Sequence, residues 1–190
     1  MLLLSFLIMF IINLSEGNIE SLWVELFPNS KRAILVCCAY RSPSDCHFFD
    51  NLMIECEKGQ LSYCQKLVIL GDLNSNPVSS VSQQTKFLRS FMNQFHLSEL
   101  VQSPTRVTAT SRSQLDLLLT NSPSYFWNTV AIPFSGSDHH AIVSFFVLVA
   151  LASLVIIRLF IHGSFINLTV SCLTAYFWMI LGLLFLMWLM

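Results

Sequence analysis

The chain has 190 residues, 54% of them apolar or aromatic and only 11% charged, with mean hydropathy +0.64 and net charge −1. Soluble domains ordinarily carry about 25% charged residues, so a uniform soluble globule is excluded. Without a basic or acidic excess there is no whole-molecule field to gather a charged partner, and any role on nucleic acid must come from a local site.

Residues 1–12 (MLLLSFLIMFII) carry no charge and match the core of a signal peptide, being short for a membrane span. No Lys or Arg precedes them and no small-residue cleavage site follows, so a short uncleaved anchor is the alternative for segment 1–17. Residues 21–27 alternate, with Leu22, Val24 and Leu26 on one side and Trp23, Glu25 and Phe27 on the other, which predicts a strand. Residues 33–40 (AILVCCAY) and 67–70 (LVIL) are unbroken apolar runs bounded by polar residues, the pattern of strands buried on both faces. Between them Phe48, Phe49, Leu52, Met53 and Cys56 recur at helical spacing, with Ser44 or Asp45 available as N-cap after Pro43. A second helix is expected over 83–96, where Phe87, Phe91 and Phe95 repeat every four residues. Further strands are expected at 115–119, 125–132 and 141–146, and alternation of this kind predicts a layered α/β domain over residues 18–146.

Arg158 is the only Lys, Arg, Asp or Glu after Asp138. Residues 141–157 and 168–190 form uncharged runs of 17 and 23 residues, which predict two membrane helices joined through 162–167 and a membrane location for the tail, 147–190. The strand expected at 141–146 competes with the first of these spans. Two glycosylation sequons, at Asn13 and Asn167, abut apolar runs. Of the six cysteines, Cys37, Cys38, Cys46, Cys56 and Cys64 are crowded together but never spaced C-x-x-C, and neighbours Cys37 and Cys38 point to opposite faces of a strand. Packing as buried thiols is therefore favoured over a zinc site or a disulfide framework.

Four polar elements stand where an apolar strand gives way to a loop: Tyr40-Arg41-Ser42-Pro43, Gly71-Asp72-Leu73-Asn74, 113–118 (SQLDLL) and Ser137-Asp138-His139-His140. Ligands bind outside the carboxyl ends of strands in open α/β sheets. Singly, each element reads as a turn. In this order, together with "IESLWVEL", "YRSPSD", "LVILGDLN", "FHLSELVQSPTR", "SQLDLLLTN" and "SDHHAI", the set resembles the endonuclease/exonuclease/phosphatase superfamily, and within it the endonuclease domain of LINE-type (non-LTR) retrotransposons.

The resemblance implies a deoxyribonuclease-like α/β sandwich that hydrolyses phosphodiester bonds of DNA with Mg²⁺. Such chemistry needs an activated water, charge neutralisation and a proton for the leaving oxygen. By resemblance, Asp72 orients or deprotonates the water, Asn74 hydrogen-bonds the phosphate, and Asp116 orients His139, which hydrogen-bonds or protonates the phosphate. Tyr40 supports the phosphoryl oxygens, and Asp138 with Asp72 serves the metal region. Arg41 reads instead as a solvated or sheet-edge residue, and His140 as an incidental neighbour.

The family also begins with strands bearing an Asn and then a Glu that is the principal metal ligand. Neither has a counterpart here, and Glu16, Glu20 and Glu25 do not supply one. The expectation is an incomplete sandwich, roughly the C-terminal half to two-thirds of the domain, catalytically defective, followed by two apolar membrane helices. Two alternatives stand beside it: a membrane-anchored phosphodiesterase of sphingomyelinase type, and a non-catalytic membrane-anchored module for an unknown protein partner.

Overall fold

The computed structural model describes residues 8–14, 19–27, 33–62, 64–79, 82–150, 153–162 and 165–174. A six-stranded mixed sheet forms the middle of the domain, in the order β1 (Ile8–Ile12), β2 (Glu20–Phe27), β3 (Ala33–Tyr40), β4 (Cys64–Asp72), β8 (Asp116–Thr120) and β5 (Ser98–Glu99). Strands β3 and β4 are parallel, joined by α1 (Phe48–Ser62), while β4 and β8 run antiparallel. A second sheet holds β9 (Phe126–Ile132), β10 (Ala141–Ala150), β11 (Ser153–His162) and β12 (Phe165–Thr174). A small hairpin pairs β6 (Arg106–Val107) with β7 (Arg112–Ser113).

Side chains alternate across the central sheet and so build two apolar layers. Leu35, Cys37, Leu67, Ile69, Leu117 and Leu119 meet Phe48, Phe49, Leu52 and Cys56 of α1 and Leu88 and Phe91 of α2 (Gln83–Gln94). Ile34, Val36, Val68, Leu70 and Leu118 face the other way, against Ile142 and Phe146 of β10. The domain is thus helices, sheet and sheet, with buried β3 and β4 ending, and antiparallel β8 beginning, at polar elements singled out above. Glu55 of α1 is buried because it has partners: it accepts hydrogen bonds from Ser21 Oγ (2.7 Å) and Trp23 Nε1 (2.8 Å).

Several boundaries differ from expectation for physical reasons. Asp45 does not cap α1; its carboxylate accepts the His47 N–H at 2.9 Å and shapes the turn ahead of the helix. Helix α2 is capped by Ser82, which accepts the Thr85 N–H at 3.1 Å, and it buries Leu88 and Phe91 while Phe87 is exposed. The true stripe is Leu88, Phe91 and Phe95, since the i, i+3, i+7 row follows the 3.6-residue turn more closely than the i, i+4, i+8 row. Cys37 and Cys56 are buried free thiols, and Cys46 is an exposed one. Burial pushes Cys38 up to about 12 and holds Cys37 well above the ordinary thiol range.

The largest correction concerns the tail. Where the first membrane helix was expected, residues 141–150 form a strand paired to β9, and residues 153–162 and 165–174 continue the same antiparallel sheet. A uniformly apolar run has no period to separate helix from strand, and this one is rich in β-branched Val, Ile and Thr beside an available sheet edge. Among the described residues no helix is long and apolar enough to cross a membrane. Residues 175–190, most of the second expected span, lie outside the described residues, as do residues 1–7 of the signal-like segment. Residues 8–12 of that segment pair with β2.

Candidate active site

Three chain segments converge at one end of the central sheet. The first is the end of β4, where Gly71 takes φ 144° and lies against the Ala39 backbone of β3, so close that a Cβ would overlap the Ala39 carbonyl. That close approach fixes Asp72, whose carbonyl accepts the Arg41 N–H at 2.9 Å. After it, Leu73 N–H donates to Leu115 O (2.9 Å) and Asn74 adopts φ 44°. The second segment is the start of β8, where Asp116 stands directly opposite Asp72 in the antiparallel register. The third is the loop 137–140, strapped to 105–107 by Val107 N–H to Asp138 O (2.8 Å) and His140 N–H to Thr105 O (2.6 Å).

The result is a compact cluster. One ligand atom from each of Asp72, Asp116 and His139 lies within 4.8 Å of the others. His139 Nδ1 is 2.8 Å from Asp116 Oδ2, and the Asp116 carboxylate is wholly buried. The Asp116 pairing orients the ring and leaves Nε2 as the nitrogen Asp116 does not engage. Asp116 Oδ1 is buried with no hydrogen-bond partner. Asp72 Oδ1 accepts the Asn74 N–H at 3.0 Å.

Electrostatics follow from burial. Desolvation lifts the Asp72 carboxyl above its ordinary range, and the facing Asp116 carboxylate lifts it further, against the Asn74 N–H and the His139 and Arg106 charges. Desolvation likewise raises Asp116, with His139 pulling it down. Two acids held high and face to face make a site that gains from a positive charge between them.

The other expected site residues are arranged differently. Asp138 is exposed and outside the cluster: its Oδ2 accepts from Arg106 Nε at 2.7 Å, and this hydrogen bond holds its carboxyl below the usual range. The Asn74 Nδ2 group donates to Arg41 O at 2.8 Å, which spends one of its two protons within the protein. Tyr40 is half-buried at the end of β3, opposite Glu20. His140 contributes its N–H to the Thr105 strap.

One residue lies outside the sequence reading, and a second, Arg41, differs from its expected solvated or sheet-edge place. Thr105 is fully buried, and its Oγ1 accepts both the Leu115 and Asp116 N–H groups at 2.9 Å. Through its carbonyl bond to His140 it links the Asp116 strand to the His139 loop. Arg41 is 1% exposed rather than solvated, and its guanidinium donates to main-chain carbonyls. In sequence each is one polar residue in a loop; Arg41 at least directly follows the buried strand β3, whereas Thr105 stands before the largely exposed β6 and carries no such signal.

Comparison with known proteins agrees with this architecture. The family model described as "Endonuclease-reverse transcriptase" matches residues 34–143. Among solved structures, the endonuclease domain of TRAS1, a telomere-specific non-LTR retrotransposon, superposes with TM-score 0.60 at 15% identity, covering 73% of this chain and 66% of that one. At that identity the likeness is one of fold, and this chain spans just under two thirds of that relative. A functionally unknown conserved protein from Enterococcus faecalis V583 aligns with TM-score 0.45 at 13% identity, over 71% of this chain and 62% of that chain. No curated protein matches the sequence. With more than half of its length matched by the family model, and with the fold of a retrotransposon endonuclease domain, the chain belongs to the endonuclease-reverse transcriptase family.

Proposed function

We propose that the chain is a metal-dependent phosphodiesterase acting on DNA. The observation that carries this reading is the Asp116–His139 pair at 2.8 Å with Asp72 beside it, on a family scaffold whose name denotes nuclease chemistry.

A divalent cation fits the donor set. Two buried, mutually repelling carboxylates and the orphaned Asp116 Oδ1 all favour positive charge at this point. Asp72 and Asp116 would hold the ion, and Mg²⁺ suits such oxygens when it keeps several of its waters. When bound, the ion neutralises charge building on the phosphoryl oxygens.

The protein's own groups do the rest. Asp72, raised by burial, accepts a proton from the attacking water at its carboxylate oxygen. The Asn74 N–H holds Oδ1 of that carboxylate in place, and the second proton on Asn74 Nδ2 is available to a phosphoryl oxygen. Asp116 orients His139 so that Nε2 meets the phosphate, where it donates a hydrogen bond or a proton. Tyr40 offers its hydroxyl from the neighbouring strand end.

Nicking of supercoiled plasmid by the full chain with Mg²⁺ or Mn²⁺ tests the reading. Nicking that EDTA abolishes and His139→Ala lowers about 100-fold or more is expected. Absence of nicking under all divalent cations overturns it.

A second reading is a catalytically defective endonuclease domain. One observation favours it: among the described residues no glutamate joins the cluster, and Asp138 is taken by Arg106. The same assay decides between them.

A further inference from the structure

We propose that Arg41 is the positioning residue that sets the Asp72–Asn74 loop, by gripping with one buried guanidinium the main chain of the two loops that leave β3 and β4. This assignment rests on the phosphodiesterase reading for its effect on rate, and on geometry alone for the grip itself.

Arg41 Nη1 donates to Asn74 O at 3.2 Å and, more weakly, to Leu73 O at 3.5 Å; Nη2 donates to Asp45 O at 2.7 Å and Pro43 O at 3.3 Å. The main chain of the same residue closes the arrangement: its N–H donates to Asp72 O (2.9 Å) and its carbonyl accepts from Asn74 Nδ2 (2.8 Å). One residue therefore contacts all three positions from Asp72 to Asn74, and fixes both the main chain and the side chain of Asn74 in its left-handed conformation.

The chemistry requires a guanidinium. Its two Nη atoms form a rigid fork that reaches carbonyls on two separate loops, whereas a lysine ammonium is a single point with three donors. Desolvation lowers the proton affinity of the Arg41 guanidinium, the nearby Asp45 and Asp72 charges work against that, and none of its hydrogen bonds goes to a carboxylate. Its guanidinium hydrogen bonds all go to main-chain carbonyls, the one to Leu73 buried and those to Asn74, Pro43 and Asp45 partly so, and an acceptor withdrawn from water needs such a partner. The guanidinium carbon lies over the Phe49 ring, 5.9 Å from its centroid. The orphan Nε shows that the fork is turned to satisfy the loops at the expense of its own third donor position.

Arg41→Lys keeps the charge and loses the fork. The full chain carrying it is expected to lose about 10- to 100-fold in kcat for plasmid nicking with KM changed less than about threefold, because a displacement near 1 Å at the reacting groups costs that much. Free guanidinium is expected to restore part of the rate in Arg41→Ala and none in Arg41→Lys. The Asn74 side-chain amide, resolved in a ¹⁵N correlation spectrum, is expected to move toward the position of an exposed amide in both variants.

If the unmutated chain does not nick DNA, the phosphodiesterase reading fails and the amide signal still decides the grip. If the variants do not fold, the unmutated chain decides it: separate, slowly exchanging Nη protons of Arg41 are expected, and a single averaged signal overturns the proposal. An unmoved Asn74 amide in Arg41→Lys, or kcat within twofold of the unmutated chain, overturns it equally.

Discussion

Gly71→Ala is the substitution for which the structure gives the most definite cost. Gly71 sits at φ 144°, a region that residues with a Cβ rarely enter, and strain there is worth about 1–3 kcal/mol. Its Cβ would also overlap the Ala39 carbonyl oxygen and come within 2.9 Å of the carbonyl carbon, where ordinary carbon contacts are about 3.5–4.0 Å. The obstacle is main chain of a paired strand, so it cannot rotate aside, and because the oxygen overlaps more deeply than the carbon, β3 and β4 must part by more than about 1 Å. Overpacking of this kind costs about 1–3 kcal/mol, for a total of roughly 2–6 kcal/mol. Urea unfolding followed by far-ultraviolet circular dichroism reads this as a fall in midpoint at unchanged slope. Because Asp72 is the next residue and faces Asp116, the nicking rate should fall about 100-fold even where the variant remains folded. A stability change under about 0.5 kcal/mol, the scale of an ordinary surface substitution, would refute the reasoning.

Other predictions address separate parts of the molecule. Leu52→Ala, at a wholly buried position between α1 and the sheet, should cost about 2–5 kcal/mol in the same urea experiment. Ser82→Ala removes the α2 cap and should cost about 1 kcal/mol, read as a smaller shift of the same midpoint. Glu99 is lifted to about 8 by burial, against N–H donation from Val101 and Leu118, so between its ordinary 4.5 and 8 the folded chain holds a proton that the unfolded chain releases. Stability should therefore fall as pH rises through that window, and thermal melts of Glu99→Gln should lack the slope. Arg106→Ala frees the Asp138 carboxylate and should return its titration, followed by carbonyl-carbon NMR, toward the ordinary aspartate range.

How much of this was legible in the sequence depends on what kind of contact is involved. Ala33–Tyr40 is the strand the apolar run predicts, because burial on both faces leaves a continuous signature. Gly71-Asp72 reads singly as a turn, yet both residues are the last of β4, and the reason for the glycine, the Ala39 main chain, lies on another strand. The nearness of Asp116 and His139 comes into view only through the family resemblance, since 23 residues separate them and no period connects them. Arg41 was misread because a charged residue next to Pro and Ser carries the local pattern of a solvated loop, and only tertiary structure supplies the carbonyls that bury it. The strand expected at 141–146 is present, whereas the membrane helix expected over the same run is not: uniform apolarity satisfies helix and strand equally, and the pairing of β9 with β10 decides.

On the proposed reading Asp116 and His139 act as one unit in phosphodiester hydrolysis, which a double-mutant cycle on plasmid nicking by the full chain measures. Asp116→Asn and His139→Ala should each lower kcat about 100-fold or more, and the double variant should be no more than about threefold slower than the slower single one. Losses that multiply, or single variants as fast as the unmutated chain, would contradict the claim.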